Sequence, residues 1–444
     1  MAVVTRQSPI EEGSRLPLNQ SAFERDTVGR VRLHVLPTDQ FKTYAISVYI
    51  GHPLSESDVT PVALTPFVLR RGTAKLPETK QFRERQDDLY GAGFGFDIYK
   101  RGDYQIVQFR MDMIHDDFVA GEGASMLEQA LQFVGEAITD PVREEGAFRA
   151  KYVEAEKETL RKRIEAIVND KIRYAAERCI EEMCKDEPYR LHPLGKVDDL
   201  AGITPQSLYA TYEQWLASSP IDVYVVGNTS LAQVKPLIES AFRWSRTGTA
   251  SYDRKPAHRE VADVNTVVER LDVTQGKLNM GLRTYVTYAD DDYPAMLMYN
   301  GILGGYPHSK LFLNVREKES LAYYASSRLD GHKGILTIQS GIEFANYEKA
   351  LAIIKEQIGQ MAEGAITELE MSQTKAMIRN QLRESQDSAF ETISLDFNNQ
   401  LSGVVRSAAD LIEQVERIGV EDIRRVAGRV KLDTVYFLRD RKGE

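Results

Sequence analysis

Residues 310–329, KLFLNVREKESLAYYASSRL, hold two side chains that could act on one ligand. Arg316 brings a planar fork of donors suited to a carboxylate or carbonyl. Tyr323, seven residues on, brings a phenol that donates a hydrogen bond without carrying charge. An apolar run leads into the charged segment 316–319, and Leu321-Ala322-Tyr323-Tyr324 opens a polar, strand-like tail. A group at a helix end and a group entering a strand can converge. Taken alone, a solvated helix arginine and a strand-core tyrosine are the simpler account, so the rest of the chain has to decide.

Other chemistries find little support. The histidines are His34, His52, His115, His192, His258, His308 and His332, and no two lie three to five residues apart. A helical zinc site needs two such ligands on one face with a carboxylate nearby. His115-Asp116-Asp117 reads as a strand end that caps the next helix, and His192-Pro193-Leu194-Gly195 as a structural turn. There is no GxSxG elbow and no Walker loop. Gly91-Ala92-Gly93-Phe94-Gly95 precedes a strand, which argues against a phosphate cradle. Cys179 and Cys184 are the only cysteines and sit five apart on one helix, where they diverge; plain packing in a reducing compartment is expected. Glu154, Glu156 and Glu158, with Lys157 and Arg161, read as a solvated helix face.

The elements that must position Arg316 and Tyr323 belong to a chain of 444 residues, long enough for two domains. Its 66 acidic residues against 56 basic ones give a net charge of −10, which speaks against nucleic acid as a partner. No run has the length of a membrane span, and the amino-terminal segment lacks the pattern of a signal peptide, so a cytoplasmic protein is expected.

Residues 30–50 hold two strand-like runs, RVRLHVLP and FKTYAISVYI, which read as a hairpin. An apolar helix over 62–69 ends at Arg70-Arg71-Gly72-Thr73. A charged helix over 84–91 follows, then strands at 94–100 and 104–113, helices at 126–138 and 148–178, and the apolar strand PIDVYVVGN at 220–228. The order then recurs, with strands at 266–272 and 277–285, helices at 294–303 and 309–319 and a strand at 335–340. An amphipathic helix beginning near Tyr347, a helical region over 368–398 and a strand at 434–438 complete it. Matching elements are offset by roughly 210 to 230 residues, the mark of an internal repeat. Two copies of one α+β unit are expected, 1–243 and 261–444, joined by a polar linker at 244–260, with a ligand site where they meet.

The duplicated layout, the RRGT turn after an apolar helix, the HPLG turn and above all LFLNVREKESLAYYASS resemble the M16 (pitrilysin-type) zinc metallopeptidase family. The resemblance runs from about Arg30 to the end, and is to the non-catalytic YmfF-like branch that lacks the HxxEH motif. It implies two tandem units of LuxS/MPP-like fold, each a mainly antiparallel sheet covered by helices, together forming a clamshell. Active members of the family carry HxxEH on a helix just before a K/R-G-T turn, a glutamate on a later helix as third zinc ligand, and an Arg/Tyr pair in the C-terminal half that binds substrate.

Carried over, the HxxEH positions fall on Ala63, Leu64, Thr65, Pro66 and Phe67, and the later glutamate on Glu158. Both imidazoles and the catalytic carboxylate are replaced, while the Arg/Tyr positions fall on Arg316 and Tyr323 with the spacing intact. One carboxylate cannot hold zinc, so no cofactor is expected on this chain and zinc only on a partner. The resemblance implies a catalytically incomplete subunit that binds and processes peptides with an HxxEH-bearing M16 partner, as a heterodimer, or that forms a homodimer. The alternative is a non-enzymatic peptide-binding or scaffolding protein of the same fold. An autonomous peptidase with a displaced metal site has no histidine pair to support it.

Overall fold

The computed structural model describes residues 22–29, 31–119, 125–243, 250–254 and 259–441. The amino-terminal segment read for a targeting signal lies outside these, as do linker residues 244–249 and 255–258.

The first unit runs β1 (Glu24–Val28), β2 (Val31–Pro37), β3 (Thr43–Pro53), α1 (Val59–Leu69), α2 (Thr79–Asp88), β4 (Gly93–Arg101), β5 (Tyr104–Ile114) and α3 (Met126–Thr139). It continues through β6 (Arg143–Glu144), β7 (Ala147–Phe148), α4 (Ala150–Asn169), α5 (Lys171–Met183), α6 (Pro205–Ser218), β8 (Ile221–Gly227) and α7 (Leu231–Ala241). The second runs β9 (Asn265–Leu271), β10 (Gly276–Arg283), α8 (Tyr293–Asn300), β11 (Ala322–Asp330), β12 (Ile335–Ile342) and α9 (Tyr347–Glu363). Then come α10 (Glu368–Glu384), α11 (Ala389–Ser402), α12 (Ala408–Arg417), α13 (Val420–Ala427) and β13 (Lys431–Asp440). Two stretches of the second unit wind as π-helix, Gly301–Gly305 directly after α8 and Phe312–Lys318.

Strand order shows the duplication. The six-stranded sheet is β1-β2-β8-β3-β5-β4 and the five-stranded sheet β11-β12-β10-β13-β9. Read from opposite ends they are one topology, with β9, β13, β10, β12 and β11 matching β2, β8, β3, β5 and β4. The last strand of each unit inserts between two earlier ones, β8 between β2 and β3 and β13 between β9 and β10, parallel to the first of each pair and antiparallel to the second.

This insertion corrects the hairpin expected over residues 30–50. β2 and β3 do not pair, because β8 lies between them. Every residue of β8 is buried, which requires neighbours on both edges and cover on both faces. The long helix expected over 148–178 is likewise two. Asp170 ends α4 and caps α5, its carboxylate accepting from the N–H of Ile172 and Arg173 at 3.1 and 3.2 Å. Ser388 caps α11 in the same way and divides the helical region over 368–398.

Each unit lends a helix to the other. α5 packs Ala175 and Cys179 against Tyr436 and Leu438 of β13, and α11 packs Ile393 and Phe397 against the face of the six-stranded sheet that bears Tyr49 and Tyr224. Tyr49 stacks on Phe397 at 3.8 Å, and Tyr252 joins the same cluster. Both cysteines are buried free thiols in this region.

Candidate functional site

Two turns fix α1 in place. In the RRGT turn the Leu76 carbonyl oxygen stands 2.6 Å from where a Cβ on Gly72 would lie, so no side chain fits. Gly195 in the HPLG turn has φ +76°, and its Cβ position is 2.0 Å from Thr60 Oγ1 in the first turn of α1. His192 in that turn accepts from the Leu194 N–H at 3.1 Å, and burial pushes its pKa down to about 4.

Between the turns, Ala63, Leu64, Thr65, Pro66 and Phe67 are all buried. Phe67 meets Phe96 edge-on at 4.8 Å, and the guanidiniums of Arg70 and Arg163 lie over its ring at 5.8 and 5.0 Å. Pro66 removes a backbone N–H that the Val62 carbonyl would otherwise accept from. A methyl, a pyrrolidine and a phenyl offer a metal no lone pair. Among the described residues, no group of three His, Cys, Asp or Glu could hold a metal ion. The residues present do not fit the zinc that the resemblance implies for active members.

Glu158 is exposed and pairs along its own helix with Arg161 at 3.4 Å and Lys162 at 3.5 Å. The carboxylate that α4 turns toward the end of α1 is Glu156, fully buried and bound to Arg71, with its Oε2 left without a hydrogen-bond partner. The solvated-face reading therefore fails for Glu156. It lies in the buried stripe of Tyr152, Val153 and Leu160, on the opposite side of the helix from Glu154 and Glu158.

In the second unit, the pairing of β11 with β12 shifts register between Ala322 and Tyr324, which makes Tyr323 the extra residue of a bulge. Bulges re-aim side chains. Tyr323 is 59% exposed, whereas Tyr324 lies against Gly341. The strand-core account thus fits Tyr324 and not Tyr323. The Tyr323 hydroxyl donates to Glu343 Oε1, and that hydrogen bond holds the phenol pKa above its usual value, so it keeps its proton. Arg316 lies in the π-helical segment Phe312–Lys318, over the Phe312 ring at 4.7 Å and 3.5 Å from Glu317. Such segments are frequent at functional sites. Among the described residues, no hydrogen bond, ion pair or ring contact joins Arg316 to Tyr323, or either of them to α1.

The family profile "Peptidase M16 inactive domain" matches residues 202–378. Over 415 residues, 94% of this chain and 97% of the relative, the sequence is 39% identical to the Probable inactive metalloprotease YmfF of Bacillus subtilis. The chain belongs to the peptidase M16 family. It is also 25% identical to the Uncharacterized zinc protease YmxG of the same organism, over 53% of this chain and 57% of that one. A conserved protein from Enterococcus faecalis superposes with a TM-score of 0.88 at 32% identity, covering 96% of this chain and all of that one. A peptidase M16 inactive domain from Pseudomonas fluorescens superposes at 0.77 with 16% identity, covering 95% and 99%, a likeness of fold.

The most densely paired ionisable groups of this M16 chain lie where its units meet, and the sequence reading does not single them out. Asp222, fully buried in β8, accepts from Arg32 through both oxygens at 2.7 Å, from His34 Nε2 at 2.9 Å and from Tyr252 at 3.2 Å. His34 Nδ1 accepts from Arg25 at 2.5 Å, so the ring is the neutral Nε2–H tautomer. Arg25 reaches Asp396 of α11 at 2.6 and 3.0 Å, and Tyr224 donates to the same carboxylate at 2.8 Å. Burial opposes ionisation of Asp222, yet His34 and Arg32 hold its carboxyl below the usual range. On the other side, Arg283 binds Asp433 at 3.0 Å and Glu187 at 2.5 and 3.2 Å, and Lys333 binds Glu187 at 2.8 Å and Asp103 at 2.7 Å. The legible signal was an aspartate in each apolar strand, PIDVYVV and LDTVYF.

Proposed function

We propose that this chain is the substrate-gripping, non-catalytic subunit of a two-chain M16 peptidase. The observation that carries the reading is the separation within one chain. Arg316 and Tyr323 are exposed on one unit, while the buried helix α1 of the other has no metal ligand and no contact with them. A site that needs both parts has to be assembled from two chains, and the partner that supplies the missing part is an HxxEH-bearing M16 chain. A homodimer would bring together two copies of α1 that each lack ligands.

In this reading the Arg316 guanidinium donates to a substrate backbone carbonyl. The Tyr323 hydroxyl donates to the oxygen that gains negative charge as water adds to the scissile carbonyl. Both groups are tethered in the free chain, to Glu317 and Glu343, and a substrate displaces those carboxylates. Among the described residues no helix is long and apolar enough to cross a membrane. A reducing, cytoplasmic setting fits the two free thiols.

A second reading, peptide capture without chemistry, is favoured by the open edges of both sheets. β4 and β11 are edge strands whose outer backbone groups are available to an added strand. Size-exclusion chromatography and peptide cleavage, run on this chain mixed with its HxxEH-bearing relative, test the two together. A complex that cleaves unstructured peptides faster than the relative alone supports the subunit reading, and a complex with no gain supports capture. No complex and no gain would sink both pairings.

A further inference from the structure

At the helix that lacks metal ligands, four guanidiniums gather. Arg70 and Arg71 follow α1, Arg83 lies on α2 and Arg163 on α4. Arg70, Arg71 and Arg83 line a cavity of 190 Å³ whose other walls include Thr79, Phe82 and Phe94. Only Arg71 has a carboxylate partner, Glu156. Among the described residues the guanidiniums of Arg70, Arg83 and Arg163 make no ion pair or hydrogen bond, and those of Arg70 and Arg163 lie over aromatic rings. Crowding by the surrounding protein and then the charges of Arg163, Arg71 and Arg83 hold Arg70 below the usual arginine range, against the pull of Glu156.

The cluster is a local excess of positive charge in a chain of net charge −10. Guanidiniums without counter-ions repel one another, and the group that relieves them is an anion offering paired oxygens. The aromatic walls add a second requirement, because Phe82 and Phe94 suit methylene groups behind the charge. Phe94 also belongs to β4, whose outer edge is unpaired, and a peptide added along that edge would lay alternate side chains toward the sheet's two faces.

We propose that this degenerate half-site is an anion pocket that anchors an acidic side chain of a peptide lying along β4, its carboxylate held by Arg70, Arg71 and Arg83. The inference rests on the peptide-binding reading above and adds the class of peptide.

Calorimetric titration of the full chain tests it with three probes: an extended decapeptide with two central glutamates, the same peptide with glutamines, and inorganic phosphate. The glutamate peptide is expected to bind roughly tenfold or more tightly than its glutamine twin, as loss of a charge-assisted contact predicts. The difference shrinks with added salt. It disappears in Arg70→Ala/Arg83→Ala and in Arg70→Gln/Arg83→Gln, with the glutamine peptide's affinity unchanged, and survives in Arg379→Ala, a control on the second unit. Because Arg70 also lies over the rings of Phe67 and Phe96, the melting temperature of each double variant is recorded beside its affinity, and an unchanged affinity for the glutamine peptide shows that the fold is kept. Equal affinity for the two peptides, or a preference that survives both double substitutions, would overturn the pocket while leaving peptide binding in place. Binding of neither peptide would remove both readings, and phosphate binding without a glutamate preference would assign the cluster to a free anion instead.

Discussion

In the first unit α1 is sealed, with Phe67 against Phe96 and two guanidiniums over its ring. In the second unit the matching helix α8 runs on into π-helix, the next segment is π-helical, and a bulge holds Tyr323 out in solvent. Strand order is the same in both. A fold is set by apolar pattern over many residues, whereas chemistry sits on a few side chains that can be lost from one copy and kept in the other. The contact between the units shows a similar division. In the first sheet the strand cation Arg25 meets the helix anion Asp396, and in the second the strand anion Glu269 meets the helix cation Arg178 at 3.2 Å. The strand gives the cation at one contact and the anion at the other.

The largest effect is expected at this contact. Asp222→Ala leaves half-buried Arg32 and buried His34 without their carboxylate and should cost about 3–5 kcal/mol in denaturant or thermal unfolding. Glu187→Ala, which strips Arg283 and Lys333, should cost a similar amount if the two networks matter equally. A much smaller loss would show that the network around Glu187 contributes less than the one around Asp222.

Acid should expose the same asymmetry. Asp222, Glu187 and Glu269 are all held below the usual carboxyl range, despite burial, by their cationic and hydroxyl partners. Their stabilisation is present above an unfolded pKa of about 4 and is lost as pH falls through their lower folded values. His192 acts earlier. Its folded pKa is about 4, so below about 6.5 the unfolded chain binds a proton that the folded chain refuses, and stability falls from there toward pH 4. The loss should be on the order of 1–3 kcal/mol, and His192→Gln should flatten the stability curve in that window.

Smaller still is a pair of substitutions on one helix. Glu156→Ala strips Arg71 of its buried partner and should cost about 1–3 kcal/mol. Glu158→Ala, on the solvent side, should stay within about 0.5 kcal/mol. Equal effects would mean that α4 is rotated from the orientation described.

Part of this is legible in the sequence. The repeat of two units follows from matching runs of strand and helix pattern, whereas the placing of the HxxEH positions on Ala63, Pro66 and Phe67 rests on the resemblance and on counting back from Gly72. Glu156 is legible too, because it falls three and four positions from apolar residues of its stripe, Val153, Tyr152 and Leu160. The strand order is not. β2 lies close to β3 in sequence, yet its bonded neighbour includes Asp222, 190 residues from Arg32, and nothing local encodes that pairing. The bulge that exposes Tyr323 and the gathering of arginines from α1, α2 and α4 also depend on packing between separate elements.

The central claim is that this chain supplies a working pair to a site whose other half lies on a second chain. The most direct test is the turnover of Tyr323→Phe in complex with the zinc-loaded HxxEH partner. Loss of one preorganised donor predicts a fall in kcat of about 10²–10³ with KM little changed and the complex intact. Unchanged kcat for both Tyr323→Phe and Arg316→Ala would contradict the account.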